Sequence, residues 1–471
     1  MVDSDITLFY IVAAYLVVML GVGVWAYKKT NTAEDFLLAG RSLGAVIIAG
    51  TLMATWMGSG TVTGGPTSIG YANGFVPAIL FMSAALIGIV ILKVLAPRIR
   101  AGSEITIPEM LEDALGWEGR VIGMIVIAFA YVGIVSYQFI GFGFVLNVST
   151  GISVTQGTII GAVVIISLAA MGGLMSVSYT DAISAFLMIF GLIVAVPFVL
   201  SSAGGWGNIV AETPDTHTNL LGDLTFLQFL GFWAPFFLLI LGDQNMYQRI
   251  LAGDSDESSN RGIIGWFIGV GVAMTIIPVF VFASRAMFPE LGDPGMALVA
   301  VTTVIPTWIG GLLLAAVSAF IITTGSSYLL SASTNISHDL YSNFVNPDAS
   351  SSRVAWFTRG LVIALGIFAF VLGEFFPTIL ELQMYSYTAY GAAITVPLMA
   401  VFLMRNRLTK AGGISGMLVG ASIAIAWDPL LGTPIETDAV VIAAPAALLS
   451  ILVVSYITRD GEVVTEPMEA S

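Results

Sequence analysis

Apolar runs of about twenty residues, separated by short polar links, repeat along almost the whole chain. A run of that length crosses a bilayer as a helix. On that ruler thirteen spans are expected, at 7–27, 44–70, 74–97, 119–147, 154–172, 175–201, 224–246, 262–284, 297–335, 354–375, 377–404, 411–428 and 438–457. The opening MVDSDITLFYIVAAYLVVML has no basic segment ahead of its apolar run, which continues to Lys28. It therefore reads as a first span and not as a cleaved leader. No link is long enough for a separate soluble domain.

The polar positions test this count. Lys and Arg gather in cytoplasmic links. With the N-terminus outside, fifteen of the sixteen basic residues fall inside, from Lys28, Lys29 and Arg41 through Lys93 and Arg249 to Arg407, Lys410 and Arg459. Only Arg285 falls outside. This predicts a multi-pass plasma-membrane protein with an odd number of spans and a cytoplasmic C-terminus.

Two spans are interrupted. The second contains MGSGTVTGGP, with Gly58, Gly60, Gly64, Gly65 and Pro66, and the seventh contains FWAPFF around Pro235 and closes on Gly242. Proline removes a helix donor and glycine loosens the backbone. Within a bilayer such breaks survive only where they are packed in protein or line a cavity. The two breaks lie five spans apart, an odd number, so equivalent helices of two five-helix units would run in opposite directions. That is the pattern of an inverted-repeat transporter with its site at the bilayer midplane.

Composition sharpens the class. The chain is 57% hydrophobic and 10% charged, far from the roughly 25% charged residues of soluble domains. It has no cysteine, which excludes disulfides, thiolate metal sites and palmitoylation. The net charge of −14 resides mostly in links and ends, such as DSDE at 254–257, and fits either solvated loops or a high-salt habitat. No basic stripe suits nucleic acid. GSGTVTG is not a dinucleotide loop, because no strand precedes it. NVS at 147–149 matches a glycosylation sequon at an outer helix end. His217 and His338 have no companion at metal-ligand spacing.

Chemistry concentrates in two places. The ninth span stacks Thr323, Thr324, Ser326, Ser327, Ser331, Ser333 and Thr334. A single hydroxyl in a membrane helix commonly bonds the carbonyl one turn back, but seven in twelve residues exceed what packing needs. Hard cations take oxygen ligands, and hydroxyls together with carbonyls freed by an unwound helix supply them. The second place is Asp181, near the basic end of the sixth span. A carboxylate within a membrane protein is a functional-site hypothesis by default.

Four stretches carry a resemblance: EDFLLAGRSLG (34–44), GGLMSVSYTDAISAFLMIFG (172–191), DQNMYQRILA (243–252) and SSYLLSASTNISHDLY (326–341). In order and spacing the chain resembles the sodium:solute symporter family over nearly its whole length. The resemblance implies an all-α polytopic fold of the LeuT type, a single transporter domain over 1–471. Its parts would be an extra helix at 7–27, inverted repeats at 44–201 and 224–404, two further helices at 411–457 and a cytoplasmic tail at 458–471. It also implies sodium-coupled symport of a small organic solute, with Na⁺ as coupling ion and no enzymatic activity. No obligate protein partner is evident.

Carried over residue by residue, the resemblance puts the sodium ligands on the hydroxyls of Thr323 and Thr324 and on carbonyls near Thr55, Gly58 and Phe320. The family uses Ser/Ser or Ser/Thr where this chain has Thr/Thr, which keeps the hydroxyl oxygens. Asp181 matches the aspartate associated with sodium release on the cytoplasmic side. Arg41 matches an arginine at the cytoplasmic entrance to the second span. Asp243 is expected to pair with Arg249 as a clasp at the inner end of the seventh. Positions that contact sugar in sugar carriers are Val62, Phe236, Leu239, Ile240 and Val270 here, too apolar for a polyol, whose unpaired hydroxyls would be costly to bury. Trp56, Phe232, Trp233, Phe236 and Phe237 suit a compact solute with one polar end, an amino acid such as proline or a monocarboxylate. Alternatives are proton coupling through Asp181, or a transporter-like channel or sensor.

Overall fold

The computed structural model describes residues 4–27, 39–102, 104–171 and 173–459. Lys28, Lys29 and most of the expected tail at 458–471 lie outside them. Among the described residues the regular elements are helices, with one isolated bridge between Leu43 and Gly253. In chain order they are α1 (Ile6–Tyr27), α2 (Ala45–Trp56), α3 (Gly65–Asn73), α4 (Phe75–Ala101), α5 (Ile107–Thr150), α6 (Val154–Met171), α7 (Leu174–Ser202), α8 (Trp206–Glu212) and α9 (Phe226–Gly242). They continue with α10 (Gln244–Leu251), α11 (Asp256–Met287), α12 (Ala297–Ala300), α13 (Thr307–Asn335), α14 (Ser351–Gly373), α15 (Ile379–Tyr390), α16 (Val396–Met404), α17 (Lys410–Leu431) and α18 (Val440–Ile457). Wider π turns, Gly60–Gly64, Ile336–Val345 and Gly391–Thr395, join or extend α2/α3, α13 and α15/α16.

The hydroxyl-rich α13 is the hub. With its π extension it has a stretch that is 94% buried, against 22% for the peripheral α14. It packs on α5, α7, α1 and α2, while α2 is also wedged between α7 and α11. Helix α9 lies on α4 and α15, and α17 pairs with α18 at the edge. A polar-studded helix is stable in a membrane only when neighbours cover it, so its central position follows from its composition.

The expected count of thirteen spans is not confirmed. Among the described residues eleven helices are long and apolar enough to cross a bilayer, twelve when the bent pair of the second span is counted as one. The expected span 7–27 corresponds to α1, a 22-residue apolar helix. A short entry helix from Ile107 precedes the expected span 119–147, and Gly116, with φ 73°, makes the kink between them. The expected run 297–335 divides at Pro306, which leaves short turns before α13.

The two ends of the bundle are knotted differently. At the basic end Leu43 and Gly253 bridge the start of α2 to the end of α10, with Leu43 N donating to Ala252 O at 3.1 Å. Arg41 stands beside this bridge with φ 49°. Arg100 closes the same corner, donating to Ile250 O at 2.7 Å and to Asp256 at 2.5 Å. At the other end Tyr71, on α3, donates to Phe288 O at 2.5 Å and accepts from Leu291 N at 3.0 Å. His217 Nε2 lies 3.1 Å from Tyr71 O, so the neutral imidazole donates there. Gly74 and Gly222 let the 213–224 loop touch: a Cβ at Gly74 would stand 2.1 Å from His217 O, and one at Gly222 2.1 Å from Asn73 O.

Candidate functional site

The second span breaks where its glycines begin. Helix α2 ends at Met57, with φ −90° and ψ 99°, and the two halves are bent by 53°. Beyond the break Ser59 N turns to Gln138 Oε1 at 2.7 Å instead of back to Thr55. Gly65 N donates to Gln383 Oε1 at 2.8 Å. Two side-chain amides, from α5 and α15, thus hold the two ends of the unwound stretch. Each then presents a buried Nε2 that has no hydrogen-bond partner among the described residues.

Threonines of α13 face the last carbonyls of α2. Thr323 Oγ1 lies 2.8 Å from Ala54 O, 2.7 Å from Ala319 O and 3.3 Å from Phe320 O. Thr324 Oγ1 donates to Ala54 O at 3.1 Å. One hydroxyl has one hydrogen and two lone pairs. When Thr323 gives its hydrogen to Ala319, one turn back on its own helix, its lone pairs are free to face α2. Gly58 closes the group, because a Cβ there would come within 2.6 Å of Thr324 Oγ1. Of the expected set, Thr323, Thr324, Phe320 and Gly58 come together. The α2 carbonyl facing the hydroxyls is that of Ala54, one residue before the expected Thr55. The Thr55 side chain instead turns to Asp181, with its hydroxyl 3.0 Å from Oδ2.

Asp181 is fully buried and does not sit at a water-washed span end. Its Oδ2 accepts from Thr51 at 2.7 Å and Thr55 at 3.0 Å, and Arg249 Nη2 is 3.4 Å away. Arg249, also fully buried, donates to Thr51 at 2.9 Å and Ser327 at 2.8 Å. Asp181 Oδ1 has no partner among the described residues. A buried charge needs a partner and further hydrogen bonds; this pair has both, between the threonine seat and the basic end. On the far side Asn245, Gln248, Ser331 and Thr334 line a narrow cavity with Arg249 and Ser327.

The expected Asp243–Arg249 clasp is not formed. Asp243 caps α10, accepting from Asn245 N at 2.9 Å, and two phenols hold it, Tyr131 at 2.6 Å and Tyr328. Tyr390 donates to Gly242 O at 2.6 Å across the same joint. The seventh span is therefore interrupted at Asp243 and not at Pro235, which α9 runs through. Pro235 lies in the interior of α9, where it removes one N–H from the ladder and crowds the carbonyl of Gly231 without ending the helix.

Aromatic rings close over the second-span break. Trp56 lies 5.4 Å from Phe236 and 6.3 Å from Trp266, and Phe236 stacks at 4.7 Å on Phe81 and 6.0 Å on Tyr387. Tyr387 and Tyr137 hydroxyls are 3.0 Å apart. Val62, Leu239 and Val270 are buried. Ile240 turns to α4 instead, where a Cβ on Gly88 would meet it at 2.0 Å. Phe237 stacks on Trp233, whose Nε1 donates to Ser83 of α4 at 3.2 Å. Sequence reading missed Gln138, Gln383, Tyr137 and Tyr387. An amide in an otherwise apolar span was the available signal.

A model of the sodium:solute symporter family matches residues 36–420. The chain belongs to the sodium:solute symporter family. This symporter is 28% identical over 482 residues to the sodium/proline symporter of Haemophilus influenzae, covering 95% of this chain and 94% of that protein. It is 29% identical over 461 residues to the high-affinity proline transporter PutP of Bacillus subtilis, covering 94% and 96%. Its fold matches that of a Na⁺-coupled sialic acid symporter in a substrate-bound outward-open state, with TM-score 0.81 at 19% identity over 96% of this chain and 98% of that one. MhsT in complex with L-phenylalanine shares the fold at TM-score 0.56 and 13% identity, over 88% and 98%. The symporter is thus a multi-pass membrane carrier of the LeuT type, with Na⁺ as coupling ion and a small organic solute as cargo, and it is not an enzyme.

Proposed function

We propose that this symporter carries proline, or an amino acid of similar size, into the cell with Na⁺. The observation that supports this reading is the pair of buried amide donors, Gln138 Nε2 and Gln383 Nε2, at the second-span break. A buried donor left unpaired costs about 1–3 kcal/mol, and a solute carboxylate satisfies both. The rings of Trp56, Phe236 and Tyr387 then cover a compact apolar body. Val62 and Leu239 offer a polyol nothing to bond. The names of the relatives point to the same solute.

In this reading Na⁺ binds to Thr323 and Thr324 hydroxyls and to Ala54 and Phe320 carbonyls, and thereby fixes the broken span against α13. It leaves past Asp181, the Thr55 and Ser327 hydroxyls and Arg249 toward the cytoplasm, with the N-terminus outside. The repeats are 44–201 and 224–404. One Na⁺ moving down about 100 mV releases about 2.3 kcal/mol. A tenfold sodium gradient adds about 1.4 kcal/mol. At one-to-one coupling this sustains a several-hundred-fold solute gradient.

The test is uptake into proteoliposomes of labelled proline, lactate and glucose, with and without an inward sodium gradient. Sodium-driven proline uptake is expected, and Gln138→Leu with Gln383→Leu should raise the proline KM at least tenfold. Proline uptake that ignores sodium and collapses with a protonophore would overturn the coupling. Preference for glucose would overturn the solute.

A further inference from the structure

At the basic end α16 runs out at Met404, turns through Arg405–Arg407 and restarts as α17 at Lys410. Two cations of this turn are neutralised by α5: Arg405 lies 2.8 Å from Asp113 and Lys410 2.8 Å from Glu118. Arg407 is exposed and, among the described residues, faces no carboxylate. The same holds for Arg459, just beyond α18. These two guanidinium groups line a single cleft of about 300 Å³ between the α16–α17 turn and the end of α18.

The cleft is half basic and half apolar. Met404, Leu408 and Ile451 form its floor, and Leu452 and Tyr456 flank it. Tyr456 is 78% exposed, and the outer face of α18 continues with exposed Leu449, Leu452 and Val453. That face meets acyl chains in a bilayer, and tyrosine at a helix end marks the headgroup level. The walls are fixed to one another. Thr409 N donates to Ser455 Oγ at 3.2 Å, and the Thr409 and Thr458 hydroxyls are 2.7 Å apart. A preorganised pair of cations loses little freedom on binding an anion.

Two guanidiniums that face no carboxylate among the described residues, beside an apolar floor, match an anion that carries its own hydrocarbon. Basic pockets between transmembrane helices recognise anionic headgroups in this way. A free phosphate would use the arginines and leave the floor of Met404, Leu408 and Ile451 unfilled. We propose that this cleft binds one anionic phospholipid, with its phosphate between Arg407 and Arg459 and an acyl chain along that floor. Guanidinium groups hold phosphate oxygens by paired, charge-assisted hydrogen bonds. The lipid would tie α16 to α18, independently of which solute is carried.

The experiment uses the full chain, purified in detergent and stripped of lipid. Phosphatidylglycerol or phosphatidylcholine is added, and retention is read by native mass spectrometry alongside the melting temperature. One phosphatidylglycerol should survive activation that removes phosphatidylcholine, and it should raise the melting temperature. Arg407→Gln with Arg459→Gln should weaken that retention at least tenfold while melting normally in phosphatidylcholine. Lys93→Gln with Arg98→Gln, two exposed cations on α4, should retain the lipid as wild type does. Equal retention of the two lipids would overturn the proposal. So would undiminished retention by the Arg407/Arg459 variant, or equal stabilisation by inorganic phosphate alone.

Discussion

The two interrupted spans solve one problem in opposite ways. Both leave helix ends inside the membrane, where backbone groups must find partners. In the seventh span the partners are permanent: Asp243 caps the new helix, and Tyr131, Tyr328 and Tyr390 close around it. In the second span the backbone N–H groups are held by Gln138 and Gln383, while the carbonyl of Ala54 meets hydroxyls that offer lone pairs as well as hydrogens. The first is a joint and the second is a socket. A break becomes a ligand site only when its partners can be exchanged.

The largest expected effect breaks the socket. Thr323→Ala with Thr324→Ala removes both hydroxyl oxygens and should raise half-saturating sodium in proteoliposome uptake more than a hundredfold, or abolish sodium stimulation. Unchanged sodium dependence would remove these threonines from the site. Next is Gly58→Ala, whose new methyl would stand 2.6–2.7 Å from Thr324 atoms and crowd the same oxygens. About a tenfold rise in half-saturating sodium is expected, with the protein still folded by size-exclusion chromatography. The joint should answer differently. Tyr328→Phe takes one donor from a buried carboxylate and should cost about 1–3 kcal/mol of stability, read from thermal or denaturant unfolding. Its half-saturating sodium should stay within twofold of wild type; a shift as large as that of Gly58→Ala would erase the distinction drawn above.

The smallest effect lies outside the membrane. Burial holds the His217 imidazole below its usual value, and nearby Arg285 acts in the same direction against the opposing hydrogen bond to Tyr71. A base with a lowered folded pKa favours the folded state while neutral. Its contribution is present above the unfolded value of about 6.5 and is lost as pH falls through the folded one. The melting temperature should therefore drop by a few degrees between pH 7.5 and pH 5, and His217→Gln should flatten part of that drop.

What could be read from the sequence was local. The run from Gly58 to Pro66 announced the bent span, and the density of hydroxyls from Thr323 to Thr334 announced the hub helix. The order of the four motif stretches gave the family. What could not be read depended on distant partners or on single-residue register. Asp181 and Arg249 are 68 residues apart, so neither predicts the other. Ala54 and not Thr55 faces the hydroxyls, a one-residue difference in register that no composition reveals. Asp243 seeks phenols and not the nearby arginine because α10 starts directly after it and carries Arg249 round to another face.

Tyr71 joins α3 to the hairpin after α11, and His217 and the two glycine contacts join it to the 213–224 loop. Three segments far apart in sequence are therefore riveted into one plate over the α3 half of the broken span. A plate tilts as a unit. One pair of reporters, at the loop and on peripheral α14, should follow opening at this end as well as many would. Because the chain has no cysteine, both can be introduced without first removing any.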